Sequence, residues 1–518
     1  MTGLLRLPPE LLSRIVDFIA IGETSEIDPD DDQSLDHDDD DDDRYSTAID
    51  LPSSSLSYQH TMLATMPRPN VFSLRNLRLS SRHFSSVCAT HLYRCLRLLP
   101  TEQSAAYYNN ILATASLSQQ VQKVVFQTRM VPAGSTSQWA THEPGPGDDY
   151  EDPHPFFLDA LEQVGRFSNL THVEMVFSAE CFGPSWDHDD ECPETMDFRE
   201  QVLSAFYAGL NHRKHPASKV YNLSIKNLQN FTPQALIDDG EDKDTGFKAD
   251  FEQVMSRITH LSLEVATEDD SAAPENTLQI PECHDFFGHE LQTYWIAPVA
   301  ENLVYLKLYA SAINIGMFPK CNLPTLPKLR TLILGNMSFT NDDQIDWTLS
   351  HGATLEELIL DDAIIGVGAT FYEESVDIDG RRVVYSPLQN LATRPSYQPT
   401  QSPALAKQYW LWPTRWHHIF PRLQQGLPKL RHFAFGHGDW DEHLAYDKAE
   451  TLTSVLQAAR YQYLDRGTGP DNWLRADNEQ KTYNDWEEDE DNVVRQPDCD
   501  DEDSKALQDL LGSIKTRR

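Results

Sequence analysis

The residues best suited to ligating a metal crowd into one stretch, where Cys181 and Cys192 flank His188 among Asp187, Asp189, Asp190 and Glu191. Structural zinc takes its cysteines in pairs two to four residues apart, and a single Cys-x10-Cys is not that pattern. His212 with His215, and His284 with His289, stand without a second ligand pair. The chain carries no phosphate-cradling glycine loop, no nucleophile elbow and no H-E-x-x-H helix. None of its seven cysteines has flanks that mark a nucleophile. An odd and sparse cysteine set reads as reduced thiols, hence a cytoplasmic or nuclear protein. The expectation is no metal, no cofactor and no catalytic residue: a protein that binds and is not an enzyme.

Binding surfaces need elements to carry them, and the clearest element signal is a repeat. The stretch LPKLRTLILGNM at 326–337 returns as LPKLRHFAFGHG at 427–438. Relaxed to apolar-x-x-apolar-x-apolar, the pattern occurs eight times, starting at Val121, Leu170, Val220, Ile258, Leu303, Leu329, Leu355 and Leu430. Alternation of this kind predicts strands, with every second side chain on one face. The outward positions are then His172 and Glu174, Asn222 and Ser224, His260 and Ser262, Tyr305 and Lys307, Thr331, Glu357 and His432. Arg330 and Arg431 stand at strand entrances. Aromatic, Arg and hydrogen-bonding groups together make a usable recognition face. The candidate target-binding residues from this row are His172, Glu174, Tyr305, Lys307, Arg330, Glu357, Arg431 and His432. Trp412 and Trp416 join them from an aromatic stretch with Tyr409 and Trp410 that reads either as a plug over a gap or as a gripping loop.

One strand per unit with a helical or irregular return resembles a leucine-rich-repeat solenoid. Two departures stand out. The position eight residues after the first apolar residue is not Asn or Cys, and unit spacing runs from 26 to 75 residues where 20–29 is usual. The expected solenoid is therefore irregular, with long insertions and a capping helix over 441–465. An ordinary α/β domain competes with it, because buried parallel strands also read as short apolar runs.

Charge narrows the function classes. The chain has 42 Lys+Arg against 81 Asp+Glu, a formal net charge of −39 over 518 residues. Such a balance excludes general nucleic-acid binding and docking on an anionic membrane, both of which need a basic footprint. No uncharged apolar run is long enough to span a bilayer, and residues 4–21 are broken by Arg6, Glu10, Arg14 and Asp17, which a signal-peptide core would not tolerate. The acid is concentrated: 13 Asp/Glu with no Lys or Arg in 23–43, and 11 in 485–503 opposed by Arg495 alone. Blocks of this kind repel themselves and are expected to be disordered, as solubilising segments or as arms for basic proteins such as histones.

The N-terminal sequence LPPELLSRIVDFI, followed by LRNLRLSSRHFSSVCATHLYRCLRL, resembles an F-box, the helical motif that binds the Skp1 adaptor of SCF ubiquitin ligases. The landmarks are Leu7-Pro8, Glu10, the stripe Leu11, Leu12 and Ile15, then Leu77, Leu79, Ser81-Arg82 and Phe84. Trp is commoner than Phe at the last of these. Acidic residues about 22–70 split the motif, as in F-box proteins of fungal type. The resemblance implies a substrate-recognition subunit of an SCF-type E3 ligase in ubiquitin-dependent degradation. Leu7, Pro8, Leu11, Leu12, Ile15, Leu77, Leu79 and Phe84 would then dock on Skp1 and, through it, cullin. Alternatives are a non-ligase protein-binding scaffold and an acidic chromatin-associated protein. The expected organisation is an F-box module over 1–99, a leucine-rich-repeat-like solenoid over 100–466 and an acidic, mostly disordered tail over 467–518.

Overall fold

A computed structural model describes residues 71–80, 82–129, 153–179, 181, 194–237, 246–267, 281–311, 313–316, 319–372, 407–437, 446, 449–457, 460–465, 473–475 and 497–517. Their strands are β1 (Cys95–Leu98), β2 (Lys123–Gln127), β3 (His172–Val176), β4 (Asn222–Gln229), β5 (His260–Ala266), β6 (Tyr305–Ala310) and β7 (Thr331–Gly335). There follow β8 (Ser338–Phe339), β9 (Glu357–Asp361), β10 (Ile364–Tyr372), β11 (Lys407–Leu411), β12 (His432–Gly436), β13 (Tyr461–Asp465) and β14 (Trp473–Arg475). The helices of eight residues or more are α1 (Val71–Ser80), α2 (Arg82–Leu92), α3 (Glu102–Ala113), α4 (Pro155–Glu162), α5 (Met196–Leu210) and α6 (Phe247–Met255). A π-helical segment, Phe286–Ile296, precedes α7 (Asp342–Ser350), α8 (Trp416–Gly426) and α9 (Asp500–Arg517).

Nine strands form one sheet in the order β1-β2-β3-β4-β5-β6-β7-β9-β12, each neighbour parallel to the next. A parallel neighbour requires the chain to cross back over the sheet, and most crossovers here are helical. Helix α5 shows how the sequence makes one. Thr195 caps its start by accepting a hydrogen bond from Phe198 N at 3.2 Å. Phe198, Val202, Phe206 and Leu210 then fall on one face and are buried. Strand residues such as Val173, Met175, Leu306, Leu308, Leu358 and Leu360 meet these helical faces in one continuous core that reaches as far as Ile514 in α9.

This arrangement corrects the expected fold. The protein is not a short helical F-box followed by an irregular leucine-rich-repeat-like solenoid; it is an α/β structure around a large parallel sheet with interleaved helices. The sheet begins at Cys95, inside the segment assigned to the F-box module, and a second sheet joins β8, β10, β11, β13 and β14. The misreading has a simple cause. A parallel strand covered by helices on one face alternates as a solenoid strand does, so the pattern alone does not separate the two.

Two further expectations change. Of the helix read over 441–465, Tyr446 is helical, Ala449–Thr451 is a 3-10 turn and Tyr461–Asp465 is strand β13 among the described residues. The acidic block at 500–503 is ordered, as the first turn of α9, which continues through the helical terminal stretch SKALQDLLGSIKTR with Leu507, Leu510, Leu511 and Ile514 buried. Asp500, Asp501, Glu502 and Asp503 lie in its first turn, where carboxylates favour the helix dipole. Arg517 at the far end donates to the carbonyls of Leu427 at 2.8 Å and Gln424 at 2.6 Å, tying α9 to the last turn of α8. Among the described residues no helix is long and apolar enough to cross a membrane.

Candidate functional site

Register partners in a parallel sheet point to the same face, so the face opposite the main core sorts into rows. The first row runs Cys95, Lys123, His172, Asn222, His260, Tyr305, Thr331, Glu357, His432. Two residues along each strand, the second runs Arg97, Val125, Glu174, Ser224, Ser262, Lys307, Ile333, Ile359, Ala434. The second row changes character at Lys307: before it the positions are mostly polar, and after it they are apolar.

The chain itself covers the apolar half. Tyr305, Tyr309, Ile333, Ile359 and Ala434 form a small cluster with Tyr446 and Ala449, and Leu452 packs against it. Tyr446 and residues 449–455 thus lie across the sheet as a strap. Its far end is held by Ser454, whose Oγ donates to Phe433 O at 3.2 Å, and by Val455 N, which donates to Phe435 O at 2.8 Å.

Two strap side chains are held by specific polar contacts. The Tyr446 hydroxyl lies 3.0 Å from Ser224 Oγ. Its ring meets the Tyr309 ring edge-on at 5.4 Å, with Lys307 Nζ at 4.2 Å and Lys226 Nζ at 5.3 Å from the ring centre. Glu450 accepts from the Tyr305 hydroxyl at 2.5 Å and from Lys307 Nζ at 3.2 Å. The Lys307–Glu450 pair is almost wholly withdrawn from water, so each charge depends on the other. Burial, and then the neighbouring carboxylates Glu450 and Asp361, push the Tyr305 and Tyr309 hydroxyls far above the usual tyrosine range, so both remain donors.

Tyr309 reaches this position because β7 has a glycine beside it. Its hydroxyl donates to buried Asp361 at 2.6 Å, and its ring lies over Gly335, where a Cβ would come within 2.2 Å of two ring carbons.

The other half of the face, β2 to β5, carries a polar groove that begins where the Tyr446 hydroxyl ends. Lys123, His172, Glu174, Asn222, Ser224, Lys226 and Ser262 line it together with strap and β6 residues, and its cavity of about 30 Å³ has room for one water. Lys123 pairs with Glu174 at 2.6 Å. Burial alone would raise the Glu174 carboxyl, but Lys123, Lys226 and Arg97 hold it below the usual carboxylate range. Along the strand starts a row of rings continues from His172 to Tyr221 at 5.3 Å, to His260 at 5.4 Å and to Tyr305 at 5.7 Å. Both histidines of the row follow a threonine, whose hydroxyl oxygen lies 2.8 Å from His172 Nδ1 and 2.9 Å from His260 Nδ1.

The chain matches no known family model and no curated protein.

Of the target-binding residues expected from sequence, His172, Glu174, Tyr305, Lys307, Glu357 and His432 share this face. Several are engaged within the chain: Tyr305 and Lys307 by Glu450, and Glu357 by His432 Nδ1 at 2.7 Å and Thr331 at 3.1 Å. Arg330 lies at the strand rim, where it pairs with Glu356 at 2.7 Å, and Arg431 is exposed at the start of β12. Trp412 and Trp416 are corrected: both are 1% exposed or less and belong to the main core beneath the helices. Trp416 Nε1 donates to Arg460 O at 3.2 Å, and its ring packs on Phe435 at 4.6 Å. Lys123, Lys226, Tyr309, Tyr446 and Glu450 were missed. Lys123 holds the position of His172 in the first unit, and carrying the strand alternation one step further finds Lys226 and Tyr309. Tyr446 and Glu450 carry only the four-residue spacing of one helical turn.

Of the residues that resemble an F-box, Leu7, Pro8, Leu11, Leu12 and Ile15 lie outside the described residues. Helices α1 and α2 pack together around Leu74, Phe84 and Cys88, with Leu77, Val87 and Leu92 against them, in a cluster separate from the main core. Phe84 is buried, Leu77 half-buried, and Leu79 is 85% exposed.

Among the described residues one group has metal-ligand types close together: His417, Cys499 and Asp503. The Asp503 carboxylate is already occupied by donors: His417 N and Nδ1 each at 2.8 Å, Arg460 Nε at 2.9 Å and the Tyr461 hydroxyl at 2.7 Å. A guanidinium at that distance repels a metal cation, and burial pushes the Cys499 thiol up, away from the thiolate a metal needs. The group works as a clamp between α9, α8 and β13. Of the cysteine-rich stretch, buried Cys181 is described, whereas His188 and Cys192 lie outside the described residues.

Proposed function

We propose that the chain is the target-holding subunit of an SCF-type ubiquitin ligase, with α1 and α2 docking on Skp1 and the polar sheet face holding a target protein. One observation carries the reading: α1 and α2 keep a small apolar cluster of their own while Leu79, a landmark of the F-box resemblance, stands 85% exposed. In a helix pair of F-box type, an adaptor docked beside the minor core would cover Leu79. The pair is tied to the sheet, since Arg78 donates to the Tyr93 hydroxyl at 2.8 Å and β1 starts two residues later. A target on the sheet is then held at a fixed distance from the docked adaptor. Rate enhancement comes from effective concentration and orientation, not from a reacting side chain of this protein.

The test is capture of Skp1 and cullin by the full chain, comparing wild type with Leu79→Asp and with Leu7→Ala/Pro8→Ala/Leu11→Ala. Leu79 is a surface residue, so its replacement leaves folding intact. Capture of both partners by wild type, with loss in both variants, supports the reading. Failure of a folded wild-type chain to capture Skp1 removes it and leaves the non-ligase scaffold, which shares the sheet face and needs no adaptor.

A further inference from the structure

We infer that the sheet face recognises a partner segment carrying a tyrosine and, four residues later, a carboxylate, and that Tyr446 and Glu450 occupy this socket as an internal stand-in. The inference rests on reading the sheet face as the target-holding surface and names the chemistry of what it holds.

Four observations converge on it. First, the strap's contacts are selective. Tyr446 and Glu450 are 4% and 6% exposed, and both are met by polar groups of the sheet: Ser224 for the hydroxyl, Tyr305 and Lys307 for the carboxylate. A cover that merely shielded Ile333, Ile359 and Ala434 from water would need apolar residues only. Burying a tyrosine hydroxyl and a carboxylate there is unfavourable unless each finds its partner, and both do. Second, two cations, Lys226 and Lys307, face the same Tyr446 ring. Third, the socket is open-ended, because the polar groove continues past the Tyr446 hydroxyl along β2 to β5. A longer partner has further polar groups to meet where the strap stops.

Fourth, charge selects the kind of partner. In a chain with 81 acidic and 42 basic residues, Lys123, Lys226 and Lys307 all line this groove, and Arg97 joins them in the second row. Glu174 and Glu450 are the acids among the groove's lining residues, and Glu450 belongs to the strap. The same face also carries Glu264 and Asp361 in the row of Tyr309 and Glu357 in the first row, so removing the strap leaves Lys307 in need of a single carboxylate at the place of Glu450. Tyrosine adds a rigid aromatic anchor of the type that dominates binding hot spots. The strap competes from within the same chain at an effective concentration of about millimolar, so an outside segment engages the wild-type protein more weakly than an opened one.

The experiment uses the full chain, as wild type and as Tyr446→Ala/Glu450→Ala, with a fluorescent peptide of the sequence 441–457, DEHLAYDKAETLTSVLQ. Binding is followed by anisotropy, and release of the strap by limited proteolysis. The expected result is saturable binding to the opened variant. Binding to wild type is at least about tenfold weaker and is accompanied by faster cleavage within the strap. Affinity falls at least about tenfold when the peptide's own tyrosine or glutamate is replaced by alanine, and also in Lys307→Ala chains. No binding to an opened variant that circular dichroism shows to be folded overturns the inference. So does binding indifferent to the peptide's tyrosine and glutamate. So does a wild type that takes up no peptide at millimolar concentration, which would make the strap a permanent part of the fold. Skp1 capture on the same samples separates the two proposals: capture without peptide binding sinks the socket alone, and peptide binding without capture sinks the ligase reading alone.

Discussion

Replacing Gly335 with alanine tests how the tyrosine layer under the strap is built. The added methyl would sit 2.2 Å from two carbons of the Tyr309 ring and 2.5 Å from a third. The contact is with the base of an aromatic ring packed between Gly335 and Tyr446, so the ring has to move as a unit. Forcing a methyl into a packed core costs about 1–3 kcal/mol. Displacing the ring also breaks the 2.6 Å hydrogen bond to the buried Asp361 carboxylate, worth about 1.5–3 kcal/mol. The expected loss for Gly335→Ala is therefore about 2.5–6 kcal/mol, a large share of the stability of an ordinary domain. The 5.4 Å edge contact with Tyr446 weakens at the same time, so strap cleavage by a protease accelerates. Urea denaturation of Gly335→Ala, Tyr309→Ala and the double variant reads the coupling. Once the ring is gone the methyl has space, so the double variant is less destabilised than the two singles together. Additivity within about 0.5 kcal/mol, or a Gly335→Ala cost below about 1 kcal/mol, refutes the reasoning.

Lys307→Ala leaves the Glu450 carboxylate without its cation in a water-poor site and costs about 3–5 kcal/mol in denaturant unfolding, whereas Lys307→Met/Glu450→Leu recovers most of that loss. The carboxyl of Asp503 is held below its ordinary range because, although burial opposes it, the Tyr461 and Arg460 donors prevail. A carboxyl with a depressed folded pKa stabilises above the unfolded value near ~3.9, and that contribution disappears as pH falls through the folded value. Melting temperature followed from pH 7 to pH 2 should accordingly fall less steeply below pH ~4 in Asp503→Asn than in wild type. Because the donors around Asp503 leave no place for a cation, neither Zn²⁺ nor a chelator is expected to change the melting temperature. A Zn²⁺-dependent rise that vanishes in Cys499→Ser would overturn the clamp.

Much of the sheet is legible in the sequence, since each apolar-x-x-apolar-x-apolar unit lies on a strand and its alternation names the face of His172, Glu174, Tyr305, Lys307 and Glu357. Other features are not, and the physical reasons differ. The strand pattern of a one-sided parallel sheet is shared by a repeat solenoid, so composition and period leave the architecture open. Trp412 and Trp416 read as surface anchors because aromatic clusters serve cores and interfaces alike, and burial is decided by what packs above them. The Asp500–Asp503 run reads as disorder, but the Leu507, Leu510, Leu511 and Ile514 stripe behind it supplies apolar area that docks the helix and brings Asp503 to Arg460.

The sequence alone determines the strand positions, the alternation of their side chains and the excess of acid over base. It also carries the helix-forming stretch with Leu74, Leu77, Leu79 and Phe84. Only the tertiary structure decides which half of the polar face is covered and by what. Ser224 meets Tyr446 across 222 residues, and Lys307 meets Glu450 across 143. Contacts at such separations follow from where every crossover in between sets the chain down, and no local pattern around Tyr446 or Glu450 encodes that.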